Sequence, residues 1–164
     1  MNLRPAVRSD VDEILPLLIE LADNGFRVDA RYRLRGHRRA LLRTHIRESW
    51  FGRLLPFPPC WVAEHEGAIV GVLSGEPLQV HEVLDQPPTA AVTDLWVVAG
   101  HRRQGIARQL VDRFRAAATN AGYGRVELST LVRDEEALAF WRAVGFVDLR
   151  ITLSADAPEG IEPT

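Results

Sequence analysis

The chain has 164 residues, 46% of them hydrophobic and 26% charged, with a formal net charge of -2, which fits one soluble globular domain with a sizeable core. No apolar run approaches the roughly 18 residues of a membrane span, and a lone Cys60 excludes an internal disulfide framework or an all-cysteine metal cluster. All 20 basic residues are arginine, so no lysine is present for Schiff-base chemistry or for a Walker-type phosphate loop.

Residues 3–7 read as a short strand. Ser9 with Asp12 three positions on predicts a capping box. Val11, Ile14, Leu15, Leu18, Leu21 and Ala22 then recur at helical spacing and give one buried stripe. Pro16 lies beyond the first turn and predicts a kink or a later start, and Gly25 is expected to close the helix. A second helix is expected over residues 34–50, ended by Pro56, Pro58 and Pro59. It lies in a basic stretch: Arg27, Arg31, Arg33, Arg35, Arg38, Arg39, Arg43, Arg47 and Arg53 are set against only Asp29 and Glu48. Such a cluster is either a solvated helix face or an anion-binding surface.

Residues 60–64 and 68–75 are apolar runs separated by His65-Glu66-Gly67, a hairpin signal. Residues 76–88 hold three prolines and form a loop, and residues 90–98 are nearly continuously apolar, as in a strand covered on both faces. A glycine-containing turn leads to a helix with Ile106, Ala107, Leu110, Val111, Phe114, Ala117 and Ala118 on one face, stopped at Gly122. Residues 125–131 form the next strand. Asp134 is a natural N-cap for a helix carrying Ala137, Phe140, Trp141 and Val144 on one side, with Gly145 just past its end. Residues 147–153 read as a last strand, and residues 155–164 as a disordered tail beyond one domain over residues 1–154. The order βααββ(β)αβαβ predicts a mixed α/β sheet with helices on both faces.

The chemistry concentrates at the strand–turn–helix around Arg102-Arg103-Gln104-Gly105-Ile106-Ala107. A helix N-terminus has several N–H groups without intrahelical partners and the positive end of the helix dipole. Gly105 brings an anion close because no Cβ intervenes, so the turn reads as a pyrophosphate cradle. Arg102, Arg103 and Arg108 add charge for phosphate oxygens. A dinucleotide fingerprint would need three glycines between strand and helix, whereas Gly122 and Gly124 lie between a helix and a strand.

This turn resembles the pyrophosphate motif of the GNAT superfamily of acetyl-CoA-dependent N-acetyltransferases: an Arg or Gln, two residues, Gly, one residue, then Gly or Ala. Asp94-Leu95-Trp96-Val97 is similar to the family's fourth strand. A second signature, Asn-x-x-Ala-x-x-Leu-Tyr-x-x-x-Gly-Phe, is matched by Asp134, Ala137, Phe140, Trp141, Gly145 and Phe146, and Leu3-Arg4-Pro5-Ala6 with Asp10 resembles the usual start. The resemblance spans residues 3 to about 153. It implies a GNAT fold, a twisted mixed sheet of about six to seven strands splayed between the fourth and fifth. It also implies acetyl-CoA as acyl donor, with no metal. The pantetheine arm would pair with backbone of Leu95, Trp96 and Val97, and the diphosphate would sit on Arg102, Arg103, Gln104, Gly105, Ile106, Ala107 and Arg108. Asp134 and Trp141 would stand where the family has Asn and Tyr.

Trp141 departs from the pattern, because an indole N–H can donate a hydrogen bond but cannot serve as a general acid. Tyr32, in the segment between the first two helices, is the substitute. Attack requires a neutral amine, so a carboxylate must take its proton. Where many relatives carry Glu this chain has Thr93. Asp94 is adjacent, but strand alternation points it to the opposite face; Glu127 comes next, then Glu76 and His81. Cys60, at a strand start, reads as core. The acceptor would be a small-molecule or peptide amine, and the arginine-rich helix (Arg38, Arg39, Arg43) suits one carrying an acidic group. The alternative is a catalytically weak acyl-CoA-binding regulatory module, motivated by Thr93 and Trp141. The acidic balance and the lack of a reading motif argue against nucleic acid. Met1–Pro5 lacks the apolar run of a secretory leader, so a cytoplasmic protein is expected, and the family resemblance suggests a homodimer.

Overall fold

The computed structural model of the protein describes residues 1–33, 38–79, 83 and 85–155, except the side chain of Arg38. Strands β1 (Asn2–Pro5), β2 (Cys60–His65), β3 (Ala68–Leu78), β4 (Thr89–Val97) and β5 (Arg125–Leu128) form one sheet in the order β1-β2-β3-β4-β5. The first four strands pair antiparallel; β4 and β5 pair in parallel, joined by a helical crossover. The helices are α1 (Val11–Val28), α2 (Arg38–Ser49), α3 (Ile106–Asn120) and α4 (Glu135–Ala143).

The helices divide between the sheet faces according to their apolar stripes. On one face Val11, Ile14, Leu15 and Leu18 of α1, with Ile46 of α2, bury Cys60, Val62 and Val72. On the other, Ile106, Leu110, Val111 and Phe114 of α3, with Trp141 and Val144 of α4, cover Leu73, Ala90, Val92 and Val97. At Gly75 of β3 an added Cβ would lie 2.4 Å from Phe114 Cζ and 2.3 Å from the Ala91 carbonyl oxygen, so only glycine lets α3 approach here.

A one-residue irregularity sits at the same place. Ser74 opposes Asp94 and Gly75 opposes Val92, leaving Thr93 as the extra residue of a β-bulge in β4. The bulge shifts the alternation of β4 by one. Ala90 and Val92 face α3 before it, and Leu95 and Val97 after it, while Trp96 joins the α1 side. The expectation that simple alternation turns Asp94 away from Thr93 is therefore overturned.

Several boundaries differ from the sequence reading. The expected cap by Ser9 with Asp12 is absent: a 3-10 turn (Arg8–Asp10) leads into α1, and Asp10 Oδ2 closes it by accepting from the Val7 N–H at 2.8 Å and from Arg4 Nη1 at 2.7 Å. Helix α1 runs past Gly25 to Val28, with Pro16 inside it. The end of α4 matches expectation: the Phe146 N–H reaches the Trp141 carbonyl at 3.0 Å in a Schellman turn.

The described residues hold five strands rather than six or seven, because residues 147–153 are not paired into the sheet. Their polar positions are tied to the body, Asp148 to Arg142 at 2.6 Å and Arg150 to Glu127 at 2.7 Å. The alternate aliphatics Val147, Leu149, Ile151 and Leu153 are left 84%, 62%, 88% and 89% exposed. Period-two alternation is thus present without a ladder. Of the tail expected over residues 155–164, all but residue 155 lies outside the described residues.

Two predictions follow from packing and charge. Gly75→Ala should cost about 2–3 kcal/mol in denaturant unfolding by overpacking α3 against the bulge; an unchanged midpoint would contradict this. The hydrogen bond from Arg4, opposed by burial and aided by the Val7 N–H, holds the Asp10 carboxyl below the usual carboxylate range. A depressed folded value stabilises above the unfolded one, near 3.9, and is lost as pH falls through the folded one. Asp10→Asn should accordingly cost about 1–3 kcal/mol at pH 7 and progressively less in acid; an equal loss at pH 7 and pH 3 would refute the linkage.

Candidate active site

The pairing of β5 with β4 ends at Leu128 opposite Val92. Beyond that point residues 93–97 of β4 have no strand on that side among the described residues, which is the splay expected between the fourth and fifth strands. Antiparallel ladders send the N–H and C=O of successive residues to opposite sides. The Val98 N–H bonds to the Val70 carbonyl at 2.9 Å, so Trp96 and Asp94, two and four residues back, also spend their backbone groups on β3. The N–H and C=O of Leu95 and Val97 therefore point into the gap. Buried backbone polar groups require partners, so this edge is a template for an extended ligand with amide groups. One of the four is already engaged: Arg102 Nε donates to the Val97 carbonyl at 2.9 Å.

At the end of β4 the chain makes a 3-10 turn (Ala99–His101) and enters α3. Two residues there adopt left-handed backbone, Arg103 at φ 63° and Gly105 at φ 78°. Gly105 is the N-cap of α3 and supplies no capping side chain, so the N–H groups of Ile106, Ala107 and Arg108 have no intrahelical acceptor. The first bond of the helix runs from the Gln109 N–H to the Gly105 carbonyl at 3.1 Å. Left-handed turn residues followed by a helix N-terminus make an anion-binding concavity at the mouth of the strand gap.

The side chains of this turn divide their work. Arg102 lies 4.3 Å from the centroid of the Trp96 ring, and Trp96 Nε1 donates to Glu20 Oε2 of α1 at 2.9 Å. Arg108 Nη2 is spent on the Ala143 carbonyl at the end of α4, at 2.9 Å. Arg103 and Gln104 are exposed. Of the three arginines expected to serve an anion, Arg103 is the one whose guanidinium is not given over to such a structural contact among the described residues.

At the bulge Ser74 Oγ lies 2.7 Å from Thr93 Oγ1 and donates to Asp94 Oδ2 at 2.5 Å, and Thr93 Oγ1 lies 3.1 Å from the same oxygen. Asp94 is half-buried and Thr93 is exposed, so the cluster opens where β5 has ended. Ser74 carried no motif, and only the bulge brings it to Asp94. Glu127, by contrast, is bracketed by Arg150 at 2.7 Å and Arg125 at 3.6 Å. Glu76 stands 4.0 Å from Arg53, and His81 lies outside the described residues.

The remaining candidates fall into structural settings. Trp141 is buried in edge-to-face contact with Phe140 and Phe146 at 5.0 and 5.3 Å. Asp134 caps α4 by accepting from the Ala137 N–H at 3.0 Å, and its other oxygen meets Asn24 Nδ2 of α1 at 3.4 Å, bracing α1 against α4. Tyr32 is exposed in the turn after α1. Burial pushes the Cys60 thiol well up, with Asp94 and Asp10 adding to the effect, so it is not a thiolate nucleophile. In the arginine cluster, Arg43 is bonded to Asp12 and Arg31 to Asp29, while Arg35 and the Arg38 side chain lie outside the described residues.

Comparison with known proteins points the same way. Residues 30–146 match the acetyltransferase (GNAT) family model. A probable N-acetyltransferase family 8 member 5 of Mus musculus is 36% identical over 90 residues, which cover 52% of this chain and 37% of that protein. N-acetyltransferase 8 of Homo sapiens is 34% identical over 86 residues, again 52% and 37% of the two chains, so the match spans little more than a third of these relatives. The fold is that of the aminoglycoside N-acetyltransferase AAC(6')-Iy in complex with CoA, with a TM-score of 0.77 at 15% identity over 95% of this chain and 93% of that one. The same enzyme with the bisubstrate analogue CoA-S-monomethyl-acetylneamine gives a TM-score of 0.75 at 16% identity, covering 96% and 98%.

The geometry of the turn yields its own test, with inorganic pyrophosphate as probe. Gly105→Ala puts a Cβ on left-handed backbone, at a cost of about 1–2 kcal/mol that is relieved by distorting the cradle. Pyrophosphate affinity, read by calorimetry, should fall about tenfold or more, while thermal unfolding moves by only a few degrees. Equal affinity in the two proteins would show that the cradle is not the anion site.

Proposed function

Because the chain belongs to the acetyltransferase (GNAT) family, we propose that it is an N-acetyltransferase that moves an acetyl group from acetyl-CoA directly to an amine. The observation that carries the reading is the continuity of the strand gap with the anion cradle. Leu95 and the Val97 N–H offer backbone groups without a strand partner to a pantetheine arm, and Gly105, Ile106, Ala107 and Arg108 offer N–H groups to its diphosphate. A ligand with amides at one end and phosphates at the other fits that sequence of groups. The relatives named N-acetyltransferases, and the fold shared with a CoA complex, support the same donor.

In this reading the acceptor amine approaches from the α1 side, over the mouth formed by Thr93 and Asp94. Asp94, whose carboxylate lies at the end of the gap, takes the ammonium proton directly or through water. The neutral nitrogen attacks the thioester carbonyl, a C–N bond forms, the C–S bond breaks, and the second proton that the nitrogen sheds as the amide forms passes through water to the departing thiolate. Free thiols titrate near pH 8.5, so the departing group takes its proton from solvent without a dedicated acid, which accommodates the packed Trp141. Glu127 is the weaker choice because two arginines already neutralise it. The Thr93 that raised a catalytically weak module is part of the Asp94 cluster, and no observation favours that module.

The acceptor is a small-molecule or peptide amine. Arg39 and Arg47 of α2 are exposed and open to an acidic group on it, whereas Arg43 is held by Asp12. No helix among the described residues is long and apolar enough to cross a membrane.

A thiol-release assay across amino acids, polyamines, aminoglycosides and peptides tests the reading. One amine class should release CoA thiol in proportion to acetylated product. Asp94→Asn should lower kcat/KM by about 10²-fold or more at unchanged acetyl-CoA affinity. An Asp94→Asn enzyme with parental kcat/KM would move the base elsewhere.

A further inference from the structure

The most enclosed polar group beside the site is Ser74, which is 0% exposed on β3. Buried hydroxyls are retained where they are satisfied, and this one is satisfied by catalytic-site neighbours rather than by the core. The Ser74 Oγ donates to Asp94 Oδ2 at 2.5 Å and lies 2.7 Å from Thr93 Oγ1. Both hydroxyls converge on the same carboxylate oxygen, Oδ2. Among the described residues no hydrogen bond falls on Oδ1.

We propose that Ser74 is the positioning residue of the acyl transfer: it pins Oδ2 of Asp94 in the bulge so that Oδ1 faces the mouth of the gap. The proposal rests on Asp94 being the proton acceptor. The arrangement follows from the backbone. The Thr93 bulge sets Asp94 opposite Ser74, and Gly75, the next residue, is locked by Phe114, so the pair cannot slide in register. Thr93 occupies a different position in the scheme. It is exposed and its oxygen lies 3.1 Å from Oδ2, so it is an auxiliary donor that water can replace.

A donor aimed at the ionised form of a carboxylate favours that form, so its removal moves the loss of activity to higher pH. In Ser74→Ala the acid limb of the kcat/KM profile should move up by about half to one pH unit, which lowers kcat/KM about three- to tenfold on the acid side of the limb and little above it. Acetyl-CoA affinity should stay within about twofold of the parent. Ser74→Cys, a weak donor of similar size, should fall between the two and serves if the alanine variant unfolds.

The carboxyl-carbon NMR titration of Asp94 in the ligand-free protein reads the same contact without turnover. Its midpoint should shift with the acid limb in Ser74→Ala. Superimposable Asp94 titrations in parent and Ser74→Ala would overturn the proposal. So would an acid limb that fails to follow the shift. If the parent shows no transfer to any amine, the acyl-transfer reading fails, and the NMR titration still decides whether Ser74 governs Asp94.

Discussion

The β-bulge at Thr93 is the constraint on which the site depends, and it is held from within the core. Phe114 of α3 lies where a side chain on Gly75 would be, so the two strands cannot slide without losing that packing. The extra residue has three local consequences. It reverses the phase of β4, so that Leu95 and Val97 take the place of Ala90 and Val92 against α3. It sets Asp94 opposite Ser74. It also bends the strand where β5 stops pairing, which opens the gap. A local change in a ladder thus reaches both the open edge of β4 and the carboxylate proposed as base.

Backbone accounting explains why this gap suits an amide-bearing donor. The N–H and C=O groups of Leu95 and Val97 lack a strand partner, and the cost of unpaired polar groups is met by water until a ligand replaces it. The anion cradle lies one short turn away, on the same element that closes the core. Arg102 links the two regions by stacking on Trp96 and bonding to the Val97 carbonyl, and Trp96 in turn is tied to Glu20. The open edge of β4, the turn into α3 and α1 therefore form one connected unit.

Much of this was legible in the chain because it rests on local chemistry. Gly105 before an amphipathic helix marks the cradle, Asp134 caps α4 as its type predicts, and Gly145 followed by Phe146 marks the end of that helix. What was not legible depends on partners distant in sequence. Nothing in Val92-Thr93-Asp94 betrays a bulge, since its cause is Phe114 and Gly75, so alternation placed Asp94 on the wrong side and left Ser74 unnoticed. Arg108 reads as a phosphate ligand, and its contact with the Ala143 carbonyl at the end of α4 could not be read from the chain. Residues 147–153 alternate as a strand should, yet Asp148 and Arg150 are ion-paired to Arg142 and Glu127 at the surface, and β5 offers only four residues of edge. Periodicity reports which side chains share a side, not whether a neighbouring strand is there to pair.

Residue-resolved amide hydrogen exchange, with and without acetyl-CoA, tests the central claim most directly. The thioester should slow exchange at Leu95 and Val97 and at Ile106, Ala107 and Arg108, and leave Trp96, already bonded to β3, unchanged. Protection that appears elsewhere, or at Trp96 as strongly as at its neighbours, would contradict the assignment of this gap and turn as the donor site.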